Sequence, residues 1–307
     1  MADPLLQQHG VLVLDKPTGP TSTRCLEMIK RTLRQRKIGH AGTLDPMARG
    51  VLLVLLGQAT RLATYLTEGG KVYSGRLRLG LSTDTYDMEG QVTQERPTDH
   101  LDQEDVVRVI AGWIEQQVQI VPPYSAAKHK GKPLYKLSRE GVEPPVKTKA
   151  LHVTRAEVLE LDLPLVRFRV ECGPGTYIRS LVHSLGIRLG CGAVLTDLTR
   201  EYSHPFGLEQ AHALSQVLEE PDRFAERVLP LHRALPHWQQ VRLTGRLAAQ
   251  VRQGAAIGAN EADAQIDSSP GRRAVFFDAE GAPLALAEVR LTNGKPVWAV
   301  LRGLWQS

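Results

Sequence analysis

The chain has 307 residues, of which 42% are hydrophobic, 23% charged and 5% aromatic, a balance that excludes a disordered, collagenous or low-complexity protein. Lys and Arg outnumber Asp and Glu by 38 to 33, a formal net charge of +5 that does not by itself identify a nucleic-acid binder. The longest purely apolar run, residues 51–56, is far shorter than the ~20 residues a bilayer-spanning helix needs.

In chain order, residues 10–14 read as a buried strand. No basic region precedes them, so they do not resemble a signal peptide, and a cytoplasmic protein is the expectation. A Pro- and Gly-punctuated turn over 15–20 leads to a helix with Ser22 as its N-cap and Leu26, Ile29 and Leu33 on the inner face. Six basic residues (Arg24, Lys30, Arg31, Arg34, Arg36 and Lys37) then face outward against the single acid Glu27. Two glycines and a proline within 39–46 predict a loop. Leu77 and Leu79 alternate with Arg76 and Arg78 as a strand, and Val107, Ile110, Trp113 and Ile114 mark an amphipathic helix.

A second basic stretch holds Lys128, Lys130, Lys132, Lys136 and Arg139, followed by Lys147 and Lys149. Two such stretches could follow a phosphate backbone. Val166, Phe168, Val170 and Cys172 alternate as another strand. After Gly173-Pro174-Gly175 a helix opens at Thr176 and turns Ile178, Leu181, Val182 and Leu185 inward. Beyond a pause near 229–236, short strands over 274–277, 284–289 and 297–301 are separated by hairpin turn signals, which predicts a small, mostly β unit. The three cysteines, Cys25, Cys172 and Cys191, contain no CxxC pair and read as buried thiols.

Gly70-Lys71, Gly131-Lys132 and Gly294-Lys295 lack a following Ser or Thr, so no P-loop is present. GxGxxG, GxSxG and HExxH are absent as well. The expected chemistry therefore uses side chains, with no metal and no cofactor.

One stretch carries most of the functional information. Gly39-His40-Ala41-Gly42-Thr43-Leu44-Asp45-Pro46-Met47-Ala48-Arg49-Gly50-Val51-Leu52 resembles the active-site loop of the bacterial tRNA pseudouridine-55 synthases, the TruB family. Further segments match in the same order: residues 10–17 with Gly19, Thr21 and Ser22; Lys71-Val72-Tyr73; Val121-Pro122-Pro123-Tyr124-Ser125-Ala126; Gly175-Thr176-Tyr177-Ile178-Arg179-Ser180-Leu181; and 189–193 with 198–200. The resemblance implies a mixed α/β (α+β) fold: a catalytic domain over 1–235 whose central mixed, largely antiparallel sheet is flanked by helices, and a β-rich PUA-like RNA-binding domain over 236–307. An insertion over about 121–150 would clamp RNA and be poorly ordered without it.

The resemblance also assigns roles. Asp45 would be the nucleophile that isomerises uridine to pseudouridine, a redox-neutral reaction without cofactor or metal; taken alone, an Asp before Pro in a Gly-rich loop is an ordinary turn residue. Arg179 would pair with it and keep the carboxylate charged. Tyr73 and Tyr177 would pack on the flipped uracil, Leu198 would wall the pocket, His40 would help extrude the nucleotide, and Lys16-Pro17 would support the loop. The implied partner is the T-arm stem-loop of tRNA, bound by a monomer with no membrane and no obligate protein partner. The alternative is a non-catalytic RNA-binding or RNA-folding protein that retains the fold.

Overall fold

A computed structural model describes residues 6–262 and 266–304. Strand β1 (Gly10–Lys16) buries Val11 to Leu14 on both faces, as a strand inside a covered sheet must. It continues two residues into the expected turn, because Asp15 and Lys16 stay in register opposite Val51 and Gly50. Helix α1 (Ser22–Thr32) turns Cys25, Leu26 and Ile29 inward. Its cap is Thr21 rather than Ser22: the Thr21 hydroxyl accepts the Arg24 N–H at 3.0 Å. The six basic residues are exposed, as expected.

The expected loop over 39–46 is shorter than the glycines suggest. Residues Ile38–Ala41 form β2, which pairs antiparallel with β3 (Arg49–Leu56). The reason lies on the far edge of β3, where the strand that meets it at Arg49 and Gly50 goes no further. Buried N–H and C=O groups from Leu53 onward need partners, and β2 supplies them. The loop proper begins at Gly42.

Helix α2 (Ala63–Thr67) leads into β4 (Lys71–Leu79), which strictly alternates buried and open positions. Strands β5 (Leu81–Thr83) and β6 (Val92–Glu95) form a side ribbon. Helix α3 (Gln103–Ala111) is capped by Asp102 and buries Val106 and Ile110, with Trp113 in the next turn. Val107 and Ile114, expected on that face, are 43% and 51% exposed. The helix tightens to a 3₁₀ turn at Gly112, and the apolar stripe runs through 106, 110 and 113.

Strands β7 (Val118–Ile120) and β10 (Thr148–Ala150) pair antiparallel and close the base of an arm. The arm carries a hairpin, β8 (Lys128–His129) with β9 (Lys132–Pro133), and helix α4 (Leu134–Arg139). Then follow β11 (Val153–Asp162), β12 (Leu165–Cys172), α5 (Ile178–Arg188) and β13 (Ala193–Ser203). Helix α5 begins two residues later than expected, and Thr176 donates to the Gly173 carbonyl at 3.0 Å instead of capping it. Three short strands, β14 (Phe206–Gly207), β15 (His212–Ala213) and β16 (Val228–Pro230), finish the main sheet.

Its order is β11-β12-β4-β13-β3-β1-β15. Pairs β3–β13 and β1–β15 are parallel and the other pairs antiparallel, the mixed, largely antiparallel sheet that the resemblance implies. Helices α1, α3 and α5 cover one face, over a core in which Trp113 meets Phe168 edge-on at 5.4 Å. A second sheet holds β17 (Gln239–Arg242), β18 (Ile257–Gly258), β19 (Arg273–Phe277), β20 (Pro283–Thr292) and β21 (Lys295–Gly303). At the β20–β21 turn, Asn293 and Gly294 take φ of +51° and +74°, as a two-residue Asn-Gly hairpin requires. Val275, Phe277 and Leu286 of this sheet pack against Val11, Val13 and Leu53 on the second face of the main sheet. The three cysteines are buried and unpaired.

Gly50 is where β1, β3 and β13 meet, with φ of +100°. A Cβ there would overlap the Arg200 carbonyl oxygen. Gly50→Ala is expected to lower stability by roughly 2–4 kcal/mol, from strain plus displacement of β13. The urea midpoint measures this; an unchanged midpoint would show that the strands shift without cost.

Candidate active site

Residues 42–48 connect β2 to β3 without regular structure, so side chains from elsewhere must fix their backbone. Lys16, fully buried at the end of β1, donates from Nζ to the carbonyls of Pro17 (2.8 Å), Pro46 (3.3 Å) and Ala48 (2.7 Å). Burial lowers its pKa. The Ser22 hydroxyl donates to the Leu44 carbonyl and accepts the Leu44 N–H, both at 2.9 Å; this is why Ser22 does not cap α1. Arg200, buried in β13, donates to the Val51 carbonyl from Nε at 2.6 Å and to the Gly42 carbonyl from Nη2 at 3.0 Å.

The loop so held presents Asp45, whose side chain is 39% exposed. Arg179, on the first turn of α5 and 5% exposed, donates from Nε to Asp45 Oδ2 at 2.9 Å. Its Nη1 donates to the Thr85 carbonyl at 2.8 Å and lies 3.4 Å from Asp87 Oδ2, and its Nη2 donates to the Tyr124 carbonyl at 3.1 Å. Such a spread of acceptors suits a planar guanidinium fork. Asp87 is itself buried and accepts from the Thr85 hydroxyl at 2.6 Å. Glu89 nearby has its pKa raised, first by burial and then by the negative charges of Asp87 and Asp45.

The start of α5 is set by Gln119 on β7. Its Oε1 accepts the Tyr177 N–H at 2.8 Å, and its Nε2 donates to the Gly175 carbonyl at 3.1 Å. Gln119 thus serves the free end of a helix that lacks a side-chain cap of its own.

Asp45 and Arg179 line a cavity of about 350 Å³. The other four residues singled out from sequence line it as well: His40 from β2, Tyr73 from β4, Tyr177 before α5 and Leu198 from β13. Tyr73 is 6% exposed and Leu198 5%, so both are core residues and cavity wall at once. Burial raises the phenol pKa of Tyr73 and of Tyr177. Burial, reinforced by Arg200, lowers that of His40 and favours its neutral ring. A larger cavity of about 620 Å³ lies at the second sheet beside His232 and Phe277 and is lined by none of these residues.

Four contributors carry no role assigned from sequence: Gln119, Asp87, Arg200 and Lys71. Lys71 lines the cavity and donates to the carbonyls of Thr67 (2.9 Å) and Gly69 (2.7 Å). Burial, helped by the charge of Arg200, brings its pKa down to about 8. The one available signal was a charged residue inside a matched segment, true of Lys71 and Arg200; Asp87 offered none. Among the described residues, no group of three His, Cys, Asp or Glu could hold a metal ion, and no helix is long and apolar enough to cross a membrane.

Residues 30–178 match the family model described as TruB family pseudouridylate synthase, N-terminal domain. The chain is 58% identical over 301 residues, 97% of both chains, to the tRNA pseudouridine synthase B of Nitratidesulfovibrio vulgaris strain DSM 19637 / Miyazaki F. It is 37% identical over 284 residues to that of Thermotoga maritima, covering 92% of this chain and 90% of the relative. Among solved structures, it is similar to a chain of an H/ACA RNP bound to a substrate RNA containing 2′-deoxyuridine. There the TM-score is 0.71 at 25% identity, over 97% of this chain and 85% of that one. A chain of the archaeal box H/ACA sRNP Nop10–Cbf5 complex gives 0.69 at 25% identity, over 98% and 90%. With a matching loop, a matching fold and relatives aligned along nearly its whole length, the chain belongs to the TruB family of pseudouridylate synthases.

Proposed function

We propose that this protein converts a uridine of tRNA to pseudouridine, that the uridine is position 55 in the T-loop, and that Asp45 is the nucleophile. The observation that carries the reading is the Asp45 carboxylate held 2.9 Å from the Arg179 guanidinium in a cavity walled by Tyr73, Tyr177 and Leu198. A base inside a stem-loop cannot reach this recess while stacked, so the nucleotide must be flipped out, with aromatic walls replacing its lost stacking. His40, a cavity-lining residue whose pKa is lowered by burial, would occupy the space the nucleotide leaves.

In the reaction the N1–C1′ bond breaks, the ring turns, a C5–C1′ bond forms, the C5 hydrogen leaves as a proton and N1 takes a proton up. No net oxidation occurs. A carboxylate can attack the ring or the sugar and can leave again. Arg179 aims it: with its other nitrogens committed to Thr85, Asp87 and Tyr124, the guanidinium has little freedom to follow Asp45 elsewhere. The non-catalytic alternative would require a decayed site, and the ion pair here is intact.

We further propose that residues 1–235 are the catalytic domain and 236–307 a PUA-like RNA-binding domain, that the exposed basic residues of 24–37 contact phosphates, and that the chain acts as a cytoplasmic monomer with no obligate protein partner. The T-arm stem-loop is the minimal substrate.

The test is tritium release from tRNA labelled at uridine C5, using the purified chain without any guide RNA. Wild type should release it; no release, with tRNA bound, would favour the non-catalytic alternative. Asp45→Asn should reduce release below a few per cent while leaving tRNA affinity within several-fold, because the amide keeps the shape and loses the nucleophile; turnover above that level removes Asp45 from the role. Arg179→Lys should cost on the order of 10²-fold in turnover, since one ammonium cannot serve four acceptors. For the basic surface, tRNA affinity should fall steeply as salt rises, and Arg34→Glu with Lys37→Glu should flatten that slope. A slope unchanged by the two reversals would place the RNA elsewhere.

A further inference from the structure

Seven buried side-chain polar atoms among the described residues have no hydrogen-bond partner. Two of them belong to residues that line the catalytic cavity: His40 Nδ1 and Ser125 Oγ. Buried hydroxyls are almost always paired, since leaving one unmade forfeits the bonds it had in water. Ser125 is 5% exposed, so bulk solvent is not its partner. It lies near the Tyr177 phenol, whose ionisation it favours slightly against the stronger effect of burial, but the two do not meet hydrogen-bond geometry.

The hydroxyl is held where it is by its own backbone. The Ser125 carbonyl accepts the Tyr135 N–H at 3.1 Å, which ties it to α4 of the arm. The preceding carbonyl, that of Tyr124, accepts from Arg179 Nη2 at 3.1 Å. Ser125 is thus fixed relative to the same guanidinium that fixes Asp45, and it brings a free donor and acceptor to the cavity from the arm side.

Building on the isomerase reading, we propose that Ser125 is a substrate-binding residue, whose hydroxyl hydrogen-bonds an oxygen of the flipped uridine, on the base or on the ribose. The arm then contributes directly to recognition inside the cavity as well as to clamping RNA outside it. A structural serine would behave differently on removal: its loss would unfold contacts, whereas deleting an orphan hydroxyl leaves the empty protein as stable as before.

The test compares Ser125→Ala with its parent by equilibrium binding of a T-arm stem-loop, in the Asp45→Asn background so that the uridine is not consumed. The expected result is a Kd raised about 3- to 10-fold, the range of one neutral hydrogen bond, with no fall in Tm. An unchanged Kd, or a loss explained by a lowered Tm, overturns the proposal. Repeating the pair with Tyr177→Phe added should preserve the factor; if it vanishes, Ser125 acts through the phenol and the proposal fails. With 2′-deoxyuridine at the target position, a factor that disappears assigns the contact to the ribose 2′-hydroxyl, and one that persists assigns it to another oxygen of the nucleotide. A wild-type chain that releases no tritium would sink the isomerase reading instead, and the Kd comparison would still decide whether Ser125 touches the nucleotide.

Discussion

Lys16 and Arg200 are buried cations that spend their donors on main-chain carbonyls, and the position of Asp45 depends on that arrangement. Residues 42–48 have no ladder of their own. A segment of that kind would ordinarily relax around its glycine and proline, and a carboxylate on it would sample many directions. Carbonyl oxygens drawn onto fixed ammonium and guanidinium groups cannot do so cheaply, because each cation would be left buried without acceptors. The lowered pKa of Lys16 reflects the desolvation cost that this placement carries. Three strands that already form the core, β1, β3 and β13, thereby become the rigid frame of an irregular loop.

Arg179 extends the same logic across the chain. Its partners Asp45, Thr85 and Tyr124 lie 134, 94 and 55 residues away in sequence. One side chain therefore links the Asp45 loop, the β5–β6 turn and the root of the arm. Displacement of any of the three is felt by the other two through a group that is almost wholly enclosed. Charge is arranged to match: Lys71, Arg179 and Arg200 line the same cavity as Asp45, with Asp87 against Arg179, so cationic groups predominate there.

What the sequence could disclose follows a physical boundary. Alternation in β4 and β12 was readable because one face is open and one closed; the helical stripe of α5 was readable because Ile178, Leu181, Val182 and Leu185 return at its period. Hidden features were those decided by distant partners. Strand β2 exists because β3 has a bare edge, Ser22 leaves its capping role because Leu44 competes for its hydroxyl, and Ile114 is exposed because the helix tightens one turn early. The six cavity residues are identified through the resemblance, and the fold brings all six to one place. Asp87 remained invisible since nothing near it in the chain signals an arginine 92 positions later.

The paired strands β7 and β10 fix where the arm leaves the body and where it returns. Gln119 and Ser180 lock that ribbon onto the start of α5: Gln119 bonds the Tyr177 N–H, and the Ser180 hydroxyl donates to the Ile120 carbonyl at 2.6 Å. Everything distal to Ser125, out to the return strand, hangs from two anchored ends. Closure entropy grows only slowly with the length of such a segment. Insertions and deletions between about 127 and 146 can therefore accumulate over evolutionary time, or be exchanged wholesale, while Gln119, Arg179 and Asp45 stay in register.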